Sequence, residues 1–308
     1  MNILITGATG FVGRSIVESF TGKYTLLTPS HNELDLLNQK DVQDYFRNHR
    51  IDTVIHCALS GCNRKTETYP SQILEKNLRM FFNLAENRDC YSRLINLGSG
   101  GEYNKFRDLY NVKEEEFGKQ FPPDDYGLSK FIISNYIEKT KNMYCLRPFG
   151  LFGKYEDYEF RFISNAIVKN LLHLPIVIQQ NVRFSWLYIN DFLKILDAFI
   201  TVEQPNHSDY NVTPDQTTNL LTIAQAINCL STHPSKIHIE HDGLNFEYSG
   251  DNTRLKEFMG EISFTPMVTA ILQMKNYYTS ILPLINKDAI RNDVYAKKCI
   301  IREERPDA

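Results

Sequence analysis

The first thirteen residues constrain this chain more than any other stretch. Ile3, Leu4 and Ile5 form a short apolar run of the kind that makes a strand buried on both faces. Gly7, Gly10 and Gly13 follow, and Val12, Ile16, Val17 and Phe20 then recur at helical spacing. Strand, glycine turn and helix together make a phosphate cradle. Glycine lets the backbone turn tightly, approach a pyrophosphate closely, and seat the helix on the strand. The helix N-terminus adds free N–H groups and a positive dipole end. Gly7, Thr9, Gly10, Phe11, Val12 and Gly13 are therefore expected to hold a dinucleotide. The common fingerprint is G-x-G-x-x-G, whereas the spacing here is G-x-x-G-x-x-G.

Beyond the cradle, short apolar runs alternate with helical segments. Strands are expected at Tyr24–Leu27, Asp52–Leu59 and Tyr91–Gly98, and helices near Lys40–Asn48, behind an Asn38 cap, and near Gln72–Asn87. This alternation argues an α/β fold on a doubly wound parallel sheet, whose ligands bind outside the carboxyl ends of the strands. An acidic residue after the second strand would take the ribose 2′-hydroxyl of NAD and repel the extra phosphate of NADP. Thr28, Ser30 and His31 stand there instead, so NADP(H) is favoured and NAD(H) is possible. Arg14 fits a role at that phosphate as well as a solvated first-turn position. Asp35 is an acceptor for an adenine amino group, with Leu36 against the ring; by itself it also reads as a loop cap. Ala58, Ser60 and Gly61 leave room for a cofactor over the sheet edge. Asn77, amid apolar neighbours, suits tying backbone groups together.

Composition excludes several partner classes. A net charge of -3 gives no basic excess for nucleic acid or an anionic membrane, and no apolar run approaches a membrane span of about 20 residues. Cys57, Cys62, Cys90, Cys145, Cys229 and Cys299 lack paired spacing, which predicts reduced thiols in a cytoplasmic protein, with Cys57 and Cys145 as packing residues. No His or Cys spacing suggests a metal site.

The chemistry-bearing residues come next. Ser99 lies at the end of the fourth strand. Asp124 or Asp125 can cap a helix that begins near Tyr126, and Tyr126 and Lys130 leave it on one face. A lysine near a tyrosine hydroxyl favours phenolate and makes the phenol a usable acid or base. The run Glu114-Glu115-Glu116 reads as a solvated face, and residues 287–308 as a surface helix or frayed charged tail.

Together these residues resemble the extended short-chain dehydrogenase/reductase family of nucleotide-sugar epimerases, dehydratases and reductases. The resemblance rests on the glycine spacing, Ser99-x-x-x-Tyr103, Tyr126-x-x-x-Lys130 and Asn77. Leu146–Gly153, Arg183–Asp191, Tyr210–Val212 and Asp251–Pro266 extend it, so that it covers about residues 1–280. It implies a Rossmann domain over 1–150 and a smaller α/β nucleotide-sugar domain over 151–286, with some segments returning to the first. It also implies a homodimer. In the implied mechanism Tyr126 is the acid or base, Ser99 bonds the same substrate oxygen, and Lys130 holds the nicotinamide ribose. Gly100, Arg161, Arg183 and Arg254 fall at substrate positions, although Arg161 equally suits an ordinary interface helix.

Departures from the family pattern narrow the reaction. Its 4,6-dehydratases carry an Asp-Glu pair after the catalytic Ser or Thr, where this chain has Gly100 and Gly101. The stretch Ser30–Leu37 most resembles the GDP-fucose synthases. Their catalytic cysteine and histidine correspond to Gly101 and, without gaps, to Phe162. The expectation is an NAD(P)H-dependent reductase of a nucleotide-linked 4-keto-6-deoxy sugar. A 4-epimerase and a non-catalytic NADP-binding scaffold are the alternatives.

Overall fold

The computed structural model describes residues 1–60, 72–202, 204–297 and 299–304; Gly61 and Cys62 lie outside them. The first half runs β1 (Asn2–Thr6), α1 (Phe11–Phe20), β2 (Thr25–Leu27), α2 (Gln39–Asn48), β3 (Thr53–His56), α3 (Ile73–Ala85) and β4 (Arg93–Leu97). There follow β5 (Leu109–Val112), α4 (Asp125–Glu138), β6 (Met143–Pro148) and β7 (Gly150–Phe152). The second half holds α5 (Phe162–Leu171), β8 (Ile176–Asn181), β9 (Arg183–Phe184), β10 (Trp186–Tyr188), α6 (Ile189–Thr201) and β11 (Asp209–Val212). It closes with β12 (Thr218–Asn219), α7 (Leu220–Cys229), β13 (Ile237–Leu244), β14 (Tyr248–Gly250), α8 (Thr253–Met259), α9 (Met267–Ser280), α10 (Lys287–Arg291) and α11 (Val294–Lys297).

Six strands make one parallel sheet in the order β2-β1-β3-β4-β6-β11. The chain steps from β1 outward to β2 and then crosses to β3 on the other side, so a crevice opens at the carboxyl ends of β1 and β3. Strand alternation sorts the core. Ile3 and Ile5 join Ile55, Ile95 and Leu146 on one face, against Ile16 of α1 and Phe192, Leu196 and Phe199 of α6. Leu4, Val54, Leu94 and Met143 face the other way, onto Val42, Phe46, Phe81, Leu84, Ile133 and Ile137 of α2, α3 and α4. This is the doubly wound α/β architecture expected from the sequence. The side chain of Asn38 accepts from the N–H groups of Lys40 and Asp41, capping α2 as expected.

The second half is continuous with the first face of the sheet: α5, α7 and α9 share its apolar cluster. A small sheet, β12-β9-β14-β5, lies beside the end of β4. Of the two readings of the chain's end, surface helix or frayed tail, the described residues follow the helix, with one face packed down. Ile290, Tyr295 and Ala296 are buried in the main core, Lys169 pairs with Asp293 at 2.7 Å, and Asn245 Nδ2 donates to the Ile300 carbonyl at 2.8 Å. Apolar residues spaced between the charges give α10 and α11 a face to bury. Among the described residues, no helix is long and apolar enough to cross a membrane.

Candidate active site

The glycine turn is closely packed. Gly7 has φ of +69°, and a Cβ there would lie 2.7 Å from the backbone N of Ala58; a Cβ on Gly13 would overlap the Gly7 carbonyl. The turn therefore presses on the end of β3, and α1 sits down on the turn. Gly10 is the N-cap of α1 and supplies no side-chain cap, and the first turn carries no acidic residue. These N–H groups are left for an anion. Thr9 and Gly10 are exposed on the turn, and Phe11 and Val12 are half-buried. Thr6 Oγ1 takes the Ala58 N–H at 3.2 Å and bonds His56 Nδ1 at 2.8 Å. Burial holds the His56 imidazole down at about 3, so it is neutral.

The other expected cofactor residues sit around this cradle. Ser30 is exposed, and its N–H and hydroxyl both donate to Glu33 Oε2, at 2.7 and 2.8 Å. A carboxylate therefore does reach the region after β2, by a fold-back across three residues that the strand-end reading missed. Asp35 Oδ1 accepts the Leu37 N–H at 2.9 Å, and Leu36 is buried in the core of the second sheet face. Asn77 Oδ1 takes the Ser60 N–H at 2.8 Å, while its Nδ2 donates to the Ser60 carbonyl and to Ser129 Oγ. It ties the end of β3 to α4, since Ser129 Oγ in turn donates to the Tyr126 carbonyl. Arg14 stacks over the Tyr155 ring, 4.0 Å from its centroid.

Ser99 stands two residues past β4 as the cap of a one-turn 3-10 helix, Gly100–Glu102. The cap is reciprocal. Ser99 Oγ accepts the Gly101 N–H at 3.0 Å, and Glu102 Oε1 accepts the Ser99 N–H at 3.0 Å. Glu102 is fully buried and takes two further partners, Ser134 Oγ of α4 at 2.6 Å and Arg147 Nε of β6. It thus bolts the serine turn to the helix that carries Tyr126 and Lys130. Gly98 makes the fold-back possible, because a Cβ there would lie 2.6 Å from Glu102 Oε1. Gly127 lets α4 approach, since its Cβ would lie 2.7 Å from the Gly101 carbonyl. Sequence reasoning missed Glu102, although the S-x-x-E pattern of a capping box was there to be read.

Asp124 caps α4 by accepting the Gly127 N–H at 3.0 Å. Lys130 is buried, and its Nζ donates to the Leu97 carbonyl at the end of β4 at 2.6 Å. Burial lowers the Lys130 pKa, opposed by Cys145, Glu102 and Cys57. Burial also pushes the Cys57 and Cys145 thiols up to about 12, as packing residues would have it. Burial raises the Tyr126 phenol; the Ser99 hydrogen bond and the Arg161 charge pull it back. The cations facing Tyr126 are thus Arg161 and Lys105, whose Nζ lies 5.4 Å from the ring centroid and 3.1 Å from Asp124 Oδ2. The phenol is thus raised, not lowered as a neighbouring lysine would have it, and Tyr126 stays protonated.

The surroundings of Ser99 are aromatic. A Cβ on Gly100 would lie 2.5 Å from the Phe149 ring, so that position has no room for a carboxylate side chain. Gly101 is more open, with its Cβ 3.3 Å from Ser99 Oγ and 3.4 Å from the Tyr126 ring. Tyr248, which sequence reasoning also missed, brings its hydroxyl within 3.5 Å of Ser99 Oγ. Phe162 is buried in the core against Tyr295. Arg161 caps α5 and Arg183 starts β9, both exposed. Arg254 lies elsewhere, bonded to Asp209 Oδ1 and to Glu115 Oε1, both at 2.7 Å. Glu114 is buried beside it and accepts the Asn211 N–H at 2.7 Å. Glu114 thus departs from the solvated face its sequence suggests, drawn inward by the β11 backbone and Arg254, while Glu115 is exposed and Glu116 half-buried, as expected.

Residues 3–213 match the model of the NAD dependent epimerase/dehydratase family. The chain belongs to that family. A GDP-L-colitose synthase of Yersinia pseudotuberculosis is 30% identical over 171 residues, 52% of this chain and 56% of that protein. A GDP-L-fucose synthase of Escherichia coli (strain K12) is 25% identical over 168 residues, 51% of this chain and 52% of that protein. The chain thus spans about half the length of these two curated relatives. Among solved structures, a GDP-mannoheptose C4 reductase from Campylobacter jejuni with NADP bound superimposes with a TM-score of 0.78. It is 17% identical, over 90% of this chain and 98% of that one. A UDP-glucose 4-epimerase from Thermotoga maritima follows at 0.77, with 16% identity over 92% and 100% of the two chains. At such identities these two likenesses speak for the fold.

Proposed function

We propose that this protein is an NAD(P)H-dependent reductase of a nucleotide-linked 4-keto-6-deoxy sugar. One observation carries the reading: Ser99 and Tyr126 stand together at the strand ends, and no carboxylate, thiol or imidazole joins them at the positions the family uses for elimination or epimerisation. Gly100 lies against Phe149, Gly101 has no side chain, and Phe162 is buried in the core.

The glycine turn fits a dinucleotide, since Gly10 at the N-terminus of α1 is exposed, gives no side-chain cap, and is followed by no acidic residue in the first turn. When bound, the reduced nicotinamide supplies the hydride. Gly7, Thr9, Gly10, Phe11, Val12 and Gly13 would hold the diphosphate, with Ser30, Asp35, Leu36, Ala58 and Asn77 along the adenosine and ribose path. NADPH is the favoured donor, as in the NADP-bound relative. Glu33 beside Ser30 is the residue that would favour NADH instead.

Ser99 donates its hydroxyl proton to the ketone oxygen, and Tyr126 delivers a proton to that oxygen as it becomes an alkoxide. Lys130 orients the nicotinamide ribose. Two donors fixed before the reaction stabilise the developing charge without reorganising. Arg161 and Arg183 would meet the substrate diphosphate as exposed guanidinium groups. Arg254 is already engaged by carboxylates and is left out of this set. Reduced thiols and a pyridine nucleotide suit the cytoplasm, and the active species would be a homodimer.

The test is NADPH absorbance on addition of GDP-, dTDP-, CDP- and UDP-linked 4-keto-6-deoxy sugars. Stoichiometric loss with one of them is expected; no loss with any would refute the reading. A 4-epimerase would use the same three residues, yet would hold its cofactor through purification and interconvert two sugars without net oxidation.

A further inference from the structure

Resting on the ketone-reductase reading, we propose that Tyr248 is a positioning residue of the reducing centre: its phenol donates to Ser99 Oγ and so directs the Ser99 proton at Tyr126 and the substrate oxygen. A serine hydroxyl has one proton and two lone pairs. The Gly101 N–H occupies one lone pair at 3.0 Å, and Tyr248 Oη lies 3.5 Å from the same oxygen. Once the Tyr248 hydroxyl closes on the second lone pair, the serine proton has only the open side of the site to point to.

Tyr248 is held for this task. Its ring lies 4.9 Å from Phe149 and meets Phe184 edge-on at 5.3 Å. Phe149 is itself gripped between two glycines, for a Cβ on either Gly100 or Gly250 would fall 2.5 Å from its ring. The Tyr248 carbonyl accepts the Ser185 N–H at 3.1 Å, fixing β14 to the start of β10. Burial raises the Tyr248 phenol well above its ordinary value, against the Ser99 hydrogen bond, so it stays protonated and able to donate. A donor into Ser99 Oγ also polarises that hydroxyl and strengthens the bond it gives onward.

Tyr248→Phe removes one hydroxyl and keeps the packed ring. In NADPH oxidation with the active ketone, kcat should fall roughly tenfold while KM for the ketone stays within about twofold. In a Ser99→Ala background the same change should have no further effect, because Tyr248 acts through that oxygen. A second readout is independent of turnover: Tyr126 ionisation followed by phenolate absorbance, with Tyr126→Phe as the assignment control. Tyr248→Phe should move it upward only where Ser99 is present. Arg161, Lys105, Asp124 and Glu102, the other charges facing Tyr126, are unchanged in every variant. An unchanged kcat, an equal loss with and without Ser99, or a downward shift (Ser99 donating to Tyr248 instead) would overturn the proposal. A wild-type protein inert towards every ketone would defeat the reductase reading, and the ionisation would still decide the role of Tyr248.

Discussion

Two adjacent glycines carry different meanings at the residue scale. Gly100 is required by packing, whereas Gly101 is a place where a side chain could enter between Ser99 and Tyr126. Gly100→Ala should therefore cost about 1–3 kcal/mol of stability through overpacking on Phe149, while Gly101→Ala should cost under about 1 kcal/mol. Urea unfolding of both variants checks this, and equal losses would contradict the assignment. The sequence showed that acids are missing at both positions, but not that a phenylalanine forty-odd residues later closes one of them. Ser99, Tyr126 and Lys130 were legible because each sits at a fixed offset from a strand end or helix start. Tyr248 was not, since only the folding of β14 beside β9 and β5 brings it to Ser99.

At the scale of elements, Glu102 is the joint between the serine turn, α4 and β6. Its carboxylate bonds Ser99 N, Ser134 Oγ and Arg147 Nε, and Arg147 reaches on to Asp209, which is held by Arg254. Removing one charge from such a buried set strands the others. Glu102→Gln should cost about 3–5 kcal/mol in urea unfolding, and should loosen the turn so that NADPH oxidation falls as well. A stability within about 1 kcal/mol of wild type would show the joint to be unimportant. The sequence read α1 to α4 and the main strands well, because apolar period and caps are local signals. It misjudged Glu114 and missed the packing of the tail at Ile290, because their partners, Arg254, Asn211 and the α5 face, are remote in the chain.

For the whole molecule, the parallel sheet sets the cradle and the Ser99–Tyr126 pair along one edge, at the ends of β1, β3 and β4. The outer face of α3 and α4 bears on assembly. Leu74, Leu78 and Phe82 on α3, and Leu128, Ile132 and Tyr136 on α4, recur every four residues and are half-buried, with Phe82 edge-on to Tyr136 at 5.2 Å. A second copy covering this apolar stripe would make the proposed homodimer, so light scattering should give twice the chain mass and Ile132→Glu should halve it; a single-chain mass for the wild type would contradict it. The proposed reaction is net hydride transfer onto a sugar ketone with Tyr126 as acid. NADPH carrying deuterium at its transferable position tests it most directly, with mass spectrometry of the product nucleotide sugar. One deuterium is expected on the former ketone carbon for each NADPH consumed, with a rate roughly 10²- to 10⁴-fold lower in Tyr126→Phe. Product without deuterium, or full transfer by Tyr126→Phe at the wild-type rate, would contradict it.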